Sequence, residues 1–382
     1  MSQREEPDGS PSREELERRH AAQGQGYGAI VWTQLKKNGA GMAGLWIIAA
    51  IVVLALLSPL LANDQPVVAK YKGSWNFPAF TTYVDTWVPW RGLRYDMKSW
   101  KVGDSFPFGD VYPDLEGRTW KQALADGGPD VGFHVMPPIP YHPTRPEGTA
   151  IKKPPSAETQ HYLGTDDQGR DVAARIVHGS VVAVTVGVVA EAIAVLLGVT
   201  LGVFAGFYGG KTDALLSRVV EIVMCFPTFF LIITVIAFLP PSNMNIMLVI
   251  GFVGWTGIFR LVRGEVLKNK ELDYVMAARA LGFSQTRIMF RQILPNSIAP
   301  VFVSAAFGIA GAVLTESGLS FLGFGDTSVA SWGEIVNQGR LYVQEGATHL
   351  ILPPGIAIFV TLTAFNLFGQ GLRDAMDPKL RQ

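Results

Sequence analysis

Residues 42–62 read MAGLWIIAAIVVLALLSPLLA, 21 positions without one charged side chain. Wound as a helix they extend about 32 Å, enough to cross a hydrocarbon core of ~30 Å. Five further apolar blocks follow. Residues 181–208 enclose one acid, Glu191, and residues 219–239 have Glu221 near their start. Residues 244–259 are short, and this span is expected to run past Arg260, whose head reaches the interface. Residues 298–324 enclose Glu316, and residues 349–369 carry no formal charge. Six spans place both termini on one side. The whole chain, 382 residues, is 48% hydrophobic and 17% charged, against roughly 25% charged in an ordinary soluble domain. The missing charge is missing in blocks.

Lys and Arg outside the blocks give an orientation. The tail 1–39 holds six, 209–218 two, 260–297 seven and 370–382 three, all on one side of a six-span layout. Opposite them, 240–243 has none and 325–348 has one. The 13 in 63–180 lie in a long loop, where charge does not set topology. Both termini are therefore expected in the cytoplasm. The first span begins about 40 residues in, is too long for a signal-peptide core and lacks a small-x-small ending, so it is read as retained.

Balanced charge, 32 basic against 32 acidic residues, argues against a nucleic-acid partner. The single cysteine, Cys225, excludes an intramolecular disulfide and a cysteine metal site. Residues 63–160 hold five of nine Trp (Trp75, Trp87, Trp90, Trp100, Trp120) and 13 of 24 Pro, without a sustained period. They read as an irregular, loop-rich extracytoplasmic cap whose aromatics pack a modest core. Residues 1–25 read as a polar tail.

Several motifs compete with blander readings. Residues 205–212, AGFYGGKT, fit a permissive phosphate-binding loop. That loop needs a strand before it and a helix start after it, whereas here a membrane helix runs into the glycines. Gly209 and Gly210 are read as a helix stop and turn. No HExxH or GxSxG occurs, and the six histidines are scattered, which disfavours a membrane-bound hydrolase. Asp166, Asp167 and Asp171 lack the spacing of a calcium loop and suit turns and an N-cap.

Residues 271–281 are rich in helix formers, and Gly282 ends them as a C′ residue. Ser284 is an N-cap for a second short helix over 285–293, and Pro295 follows. Small residues Ala277, Ala278, Ala280 and Gly282 leave room for another surface to approach. On residue chemistry alone, a docking knob and an interfacial amphipathic hairpin remain equally open. Intramembrane acids are functional candidates. Glu191 points to the translocation path or a subunit interface. Glu316 is assigned to pinning its span end by accepting backbone N–H groups, with the path as the other reading. Pro227 is expected to kink the third span.

The 271–295 segment resembles the cytoplasmic loop of ABC-importer permeases, named for Glu-Ala-Ala, a Gly and then Leu-Pro. Ala277, Ala278, Gly282, Leu294 and Pro295 fall on that pattern, and Met276 stands where the family has Glu. Residues 161–172, 316–325, 331–333 and 373–381 resemble oligopeptide and dipeptide permeases of the "C" type. The end of the first span, with residues 72–78, is similar to the branch that handles microcin-C-type peptides and carries an enlarged extracytoplasmic insert. The Arg usual soon after Gly179 is absent.

The resemblance implies an all-α membrane protein of six transmembrane helices with a cytoplasmic coupling hairpin and an irregular extracytoplasmic insert. Its parts are a cytoplasmic tail 1–39, a first helix 40–62, the insert 63–160 and a permease core 161–382. It implies a permease subunit of a peptide importer in the bacterial inner membrane, with no cofactor and no catalytic residue of its own. Partner ATPases would bind ATP and magnesium and engage the hairpin through Tyr274, Met276, Ala277, Ala278, Gly282, Leu294 and Pro295. The other implied partners are a second homologous permease, one or two ATPase subunits, an extracytoplasmic peptide-binding protein and membrane lipid. The same machine for nickel chelates or glutathione, and a self-sufficient secondary transporter, are the alternatives.

Overall fold

The computed structural model describes residues 27–71, 74–80, 131–147 and 150–377. Helix α1 (Tyr27–Lys37) precedes the first span, inside the segment read as tail. Its Val31 and Leu35, one turn apart, pack on Phe368, Leu372, Ala375 and Met376. Helix α2 (Gly39–Leu61) follows at once. Asn38 serves both: its Oδ1 accepts from Gly41 N at 2.9 Å, and its Nδ2 donates to Asp374 at 3.0 Å. Helix α2 lies against the last helix through glycine. A side chain on Gly44 would meet the Ala364 carbonyl at 2.6 Å, so only glycine permits this approach.

Helix α3 (Val172–Tyr208) is the axis of the fold, 37 residues and about 55 Å long. Asp171 caps it, accepting from Ala174 N at 2.7 Å. Gly198, Gly202 and Gly206 recur every four residues and seat Ile258, Val262 and Val266 of α6 (Asn243–Asn269). That i,i+4 stripe lets two long helices run backbone to backbone. Residues 205–212 are a helix end and a turn: Gly209 and Gly210 both have positive φ, and helix α4 (Gly210–Met224) begins there.

The third span differs from its expectation. The chain breaks at Cys225–Pro227, and α5 (Thr228–Ile236) leaves α4 at 81°. Pro227 has no N–H to donate and its ring would crowd the carbonyl one turn back, so the kink expected there becomes a full break. Among the described residues five helices are long and apolar enough to cross a membrane, and α4 with α5 would make a sixth if one bent span. The remaining two are α8 (Ala299–Phe321) and α10 (Leu352–Met376), the latter with a 3-10 turn at Thr348–Leu350 before it. Helix α6 runs ten residues beyond Phe259, past Arg260.

The insert is not wholly irregular. Strands β1 (Val68–Tyr71), β2 (Ser74–Asn76) and β3 (Val131–Val135) form an antiparallel sheet in the order β2-β1-β3. Lys70 pairs with Trp75, and Ala69 with His134. Trp75 stands on this sheet 59% exposed, edge-on to Phe133, rather than in a core. Trp87, Trp90, Trp100 and Trp120 lie outside the described residues.

Candidate functional site

The hairpin forms as its residues dictate. Helix α7 (Asp273–Ala280) ends on Gly282 at φ +74°. Phe283 N donates to Ala278 O at 3.1 Å and Gly282 N to Arg279 O at 3.0 Å, which closes a Schellman turn. Ser284 then caps the return helix, accepting from Arg287 N at 3.4 Å. The return is longer than expected, helical from 285 to 297, with a π-helical turn at Ile288–Ile293. Leu294 N reaches Met289 O, five residues back, so the wide turn takes up Pro295 without breaking the helix.

One core joins the hairpin to the span ends. Val275, Ala278, Ile288, Met289 and Ile293 are buried with Val220 of α4, Val262 and Val266 of α6 and Val301 of α8. Each of the Val, Ile and Met side chains contributes roughly 1.5–3 kcal/mol on burial, so the hairpin moves with those helices or not at all. Its base is closed by Asn269 Nδ2, which donates to Ser297 Oγ at 2.8 Å, both groups buried. Tyr274 packs on this core and takes a bond from Asn296 Nδ2 at 3.4 Å.

The predicted contact residues therefore divide. Ala278 is buried, and Tyr274 and Leu294 are half-buried supports. Met276, Ala277, Gly282 and Pro295 are exposed. Leu281, 73% exposed at the tip, was not singled out by the sequence reading. Its signal was its place as the last residue before a helix-ending glycine. The same is true of a latch beside the hairpin: Arg263 of α6 grips Asp213 of α4 through Nε and through Nη2, the latter at 2.7 Å. Lys270 Nζ donates to Gly206 O of α3 at 3.2 Å.

At the other end of α3, two separate signatures meet. Asp166, fully buried, accepts from Arg170 Nε at 2.7 Å and from Arg175 Nη1. Arg175 Nη2 faces Glu334 Oε2 at 3.0 Å. Glu334 lies in α9 (Trp332–Arg340), where Gln338 links it to both arginines. Trp332 Nε1 donates to Ile176 O at 3.0 Å, and its ring fills the space that a side chain on Gly179 would take. Burial pushes the Glu334 carboxyl above its ordinary value although Arg175 and Arg170 pull it down. Burial likewise raises Asp171, outweighing its bonds from Ala174 and His161.

The two intramembrane acids have different surroundings. Glu316 is 1% exposed and is held by hydroxyls, not by backbone N–H groups as expected: Ser320 Oγ donates at 2.7 Å and Ser317 Oγ at 3.3 Å. Backbone N–H groups inside a helix are spent on the helix itself, so the acid takes its donors from Ser317 and Ser320 at i+1 and i+4. Glu191 is half-buried and lies on Gly308 of α8, where a side chain would overlap its carboxylate.

The family profile described as binding-protein-dependent transport system inner membrane component matches residues 198–382. The N-terminal TM domain of oligopeptide transport permease C matches residues 26–76. A dipeptide transport system permease protein of Alkalihalophilus pseudofirmus is 42% identical over 59% of this chain and 74% of its own length. The inner membrane ABC transporter permease protein YejE of Escherichia coli is 30% identical over 91% of this chain and 96% of its own. The peptidoglycan transport system permease protein YejE of Agrobacterium fabrum is 31% identical, over 91% and 92%. Matches to the two YejE proteins are long enough to take in the insert, which fits the microcin-C-type branch.

Proposed function

The chain belongs to the oligopeptide and dipeptide "C"-type permeases of binding-protein-dependent ABC importers, and from that premise we propose how it works. It is the membrane permease component of a peptide importer, a transport subunit, with ATP hydrolysed on separate subunits. Such permeases work with ATPase subunits, a second permease and a substrate-binding protein. For this chain we take the partners to be one homologous permease, one or two ATPases and an extracytoplasmic peptide-binding protein. The setting is the bacterial inner membrane with both termini cytoplasmic, and the chain itself holds no cofactor. The name of the Agrobacterium relative makes peptidoglycan fragments, which carry peptide stems, a cargo to assay early.

The observation that supports the coupling role is the hairpin's construction. Its inner face shares one core with α4, α6 and α8, while Met276, Leu281 and Gly282 stay outside. An ATPase groove closing on that tip would carry α6 and α8 with it, and access would change sides. A Cβ on Gly282 would meet no atom within 4 Å, so a side chain there acts through the turn it strains at φ +74° and through whatever docks from outside. Gly282→Asp is expected to abolish peptide-stimulated ATP hydrolysis in reconstituted vesicles while the complex still assembles. Unchanged stimulated turnover would refute the coupling role.

A further inference from the structure

We propose that Glu191 is a cargo-facing carboxylate that sorts passing peptides by charge, favouring basic over acidic side chains. The inference rests on the peptide-permease reading above. Glu191 stands near the middle of the 37-residue α3, and Gly308, against which it lies, near the middle of the 23-residue α8. Both are therefore far from either end of their helices. Among the described residues the carboxylate meets no hydrogen-bond donor and no charged group; burial is all that acts on it. That separates it from Glu316, which is enclosed by serine hydroxyls.

Among the described residues no cation acts on it. Helices α2 and α8 contain no Lys or Arg, α3 has none after Arg175, α6 has none before Arg260 and α10 none before Arg373. A half-open carboxylate facing hydrocarbon is costly, so the open side of Glu191 faces water or another polar surface. Gly308 deepens the case: lacking a side chain, it leaves a recess in which the carboxylate sits flat on the α8 backbone. A basic residue of a neighbouring subunit would have to stay desolvated there permanently. A cargo cation arrives with water, makes its contact in transit and leaves. In its ionised form the carboxylate attracts lysine- or arginine-bearing cargo and repels glutamate- or aspartate-bearing cargo.

The test uses the whole complex in vesicles, with partner permease, ATPases and binding protein, and labelled Ala-Lys-Ala and Ala-Glu-Ala as probes. In Glu191→Gln, measured at about pH 8, the uptake ratio of the lysine to the glutamate peptide should fall several-fold, since the carboxylate's charge is removed beside the passing cargo. Glu191→Asp keeps the charge and should keep the ratio. An unchanged ratio in Glu191→Gln overturns the proposal. Equal loss of both peptides, or loss of assembled complex on gel filtration, assigns the carboxylate to packing or to a partner subunit and overturns it as well. If the unmodified complex imports neither tripeptide, the peptide reading itself fails, an outcome distinct from an unchanged ratio.

Discussion

The side-chain amide of Asn269 donates to the hydroxyl of Ser297 across 28 residues, at 2.8 Å, and so closes the hairpin where α6 ends and the return helix finishes. Ser297 passes the bond on to Ile293 O at 2.9 Å. Ser297→Ala would leave a buried amide without a partner, at a cost of about 1–3 kcal/mol. The expected result is a lower melting temperature of the purified complex and more ATP spent per peptide carried. Replacing both groups by apolar ones, Asn269→Leu with Ser297→Ala, should recover most of the loss. A double variant no better than the single would show that the bond is incidental.

The Arg263–Asp213 pair lashes the first half of the broken span to α6, which carries the hairpin. Two parallel bonds from one guanidinium fix orientation as well as distance. Asp213→Arg sets two like charges together and should cut uptake several-fold. Exchanging the partners, Asp213→Arg with Arg263→Asp, should restore at least half of it, with a coupling of about 0.5–3 kcal/mol. Failure of the exchange to restore any uptake would remove the pair from the transmission path.

Asp171 links pH to stability. Its carboxyl is raised by burial in the folded chain, so the folded state holds that proton more tightly than the unfolded one. The stability it contributes is complete below the unfolded value of 3.8 and is lost as pH rises through the folded value. Asn caps a helix as well as Asp does. Asp171→Asn should therefore melt close to the unmodified protein near pH 4 and gain on it by pH 7. Thermal melts of the detergent-solubilised protein across that range read this directly. A difference independent of pH would be evidence against a raised carboxyl.

The spans were legible because hydrocarbon tolerates no charge, and blocks free of charge mark them in one dimension. The hairpin was legible for a local reason: Gly282 and Ser284 impose a stop and a start on their own neighbours. What escaped is non-local. Nothing near residue 166 announces that Arg175 must also face Glu334, more than 150 positions away. Helix α1 escaped because two apolar residues one turn apart, Val31 and Leu35, gain meaning only once α10 lies beside them. The break after α4 was foreseen as a kink, since Pro227 is local, but its size depends on how the halves pack.

The π-helical turn at Ile288–Ile293 has a consequence for evolution and engineering. It counts as one surplus residue in the return helix. Deleting a single residue there would give a regular helix with better bonds, yet swing the tip about 100° around its axis relative to α8. Leu281 and Met276 would then point away from the surface they serve. The length of this segment is thus a fixed spacing, and variants should tolerate substitution within it far better than any gap.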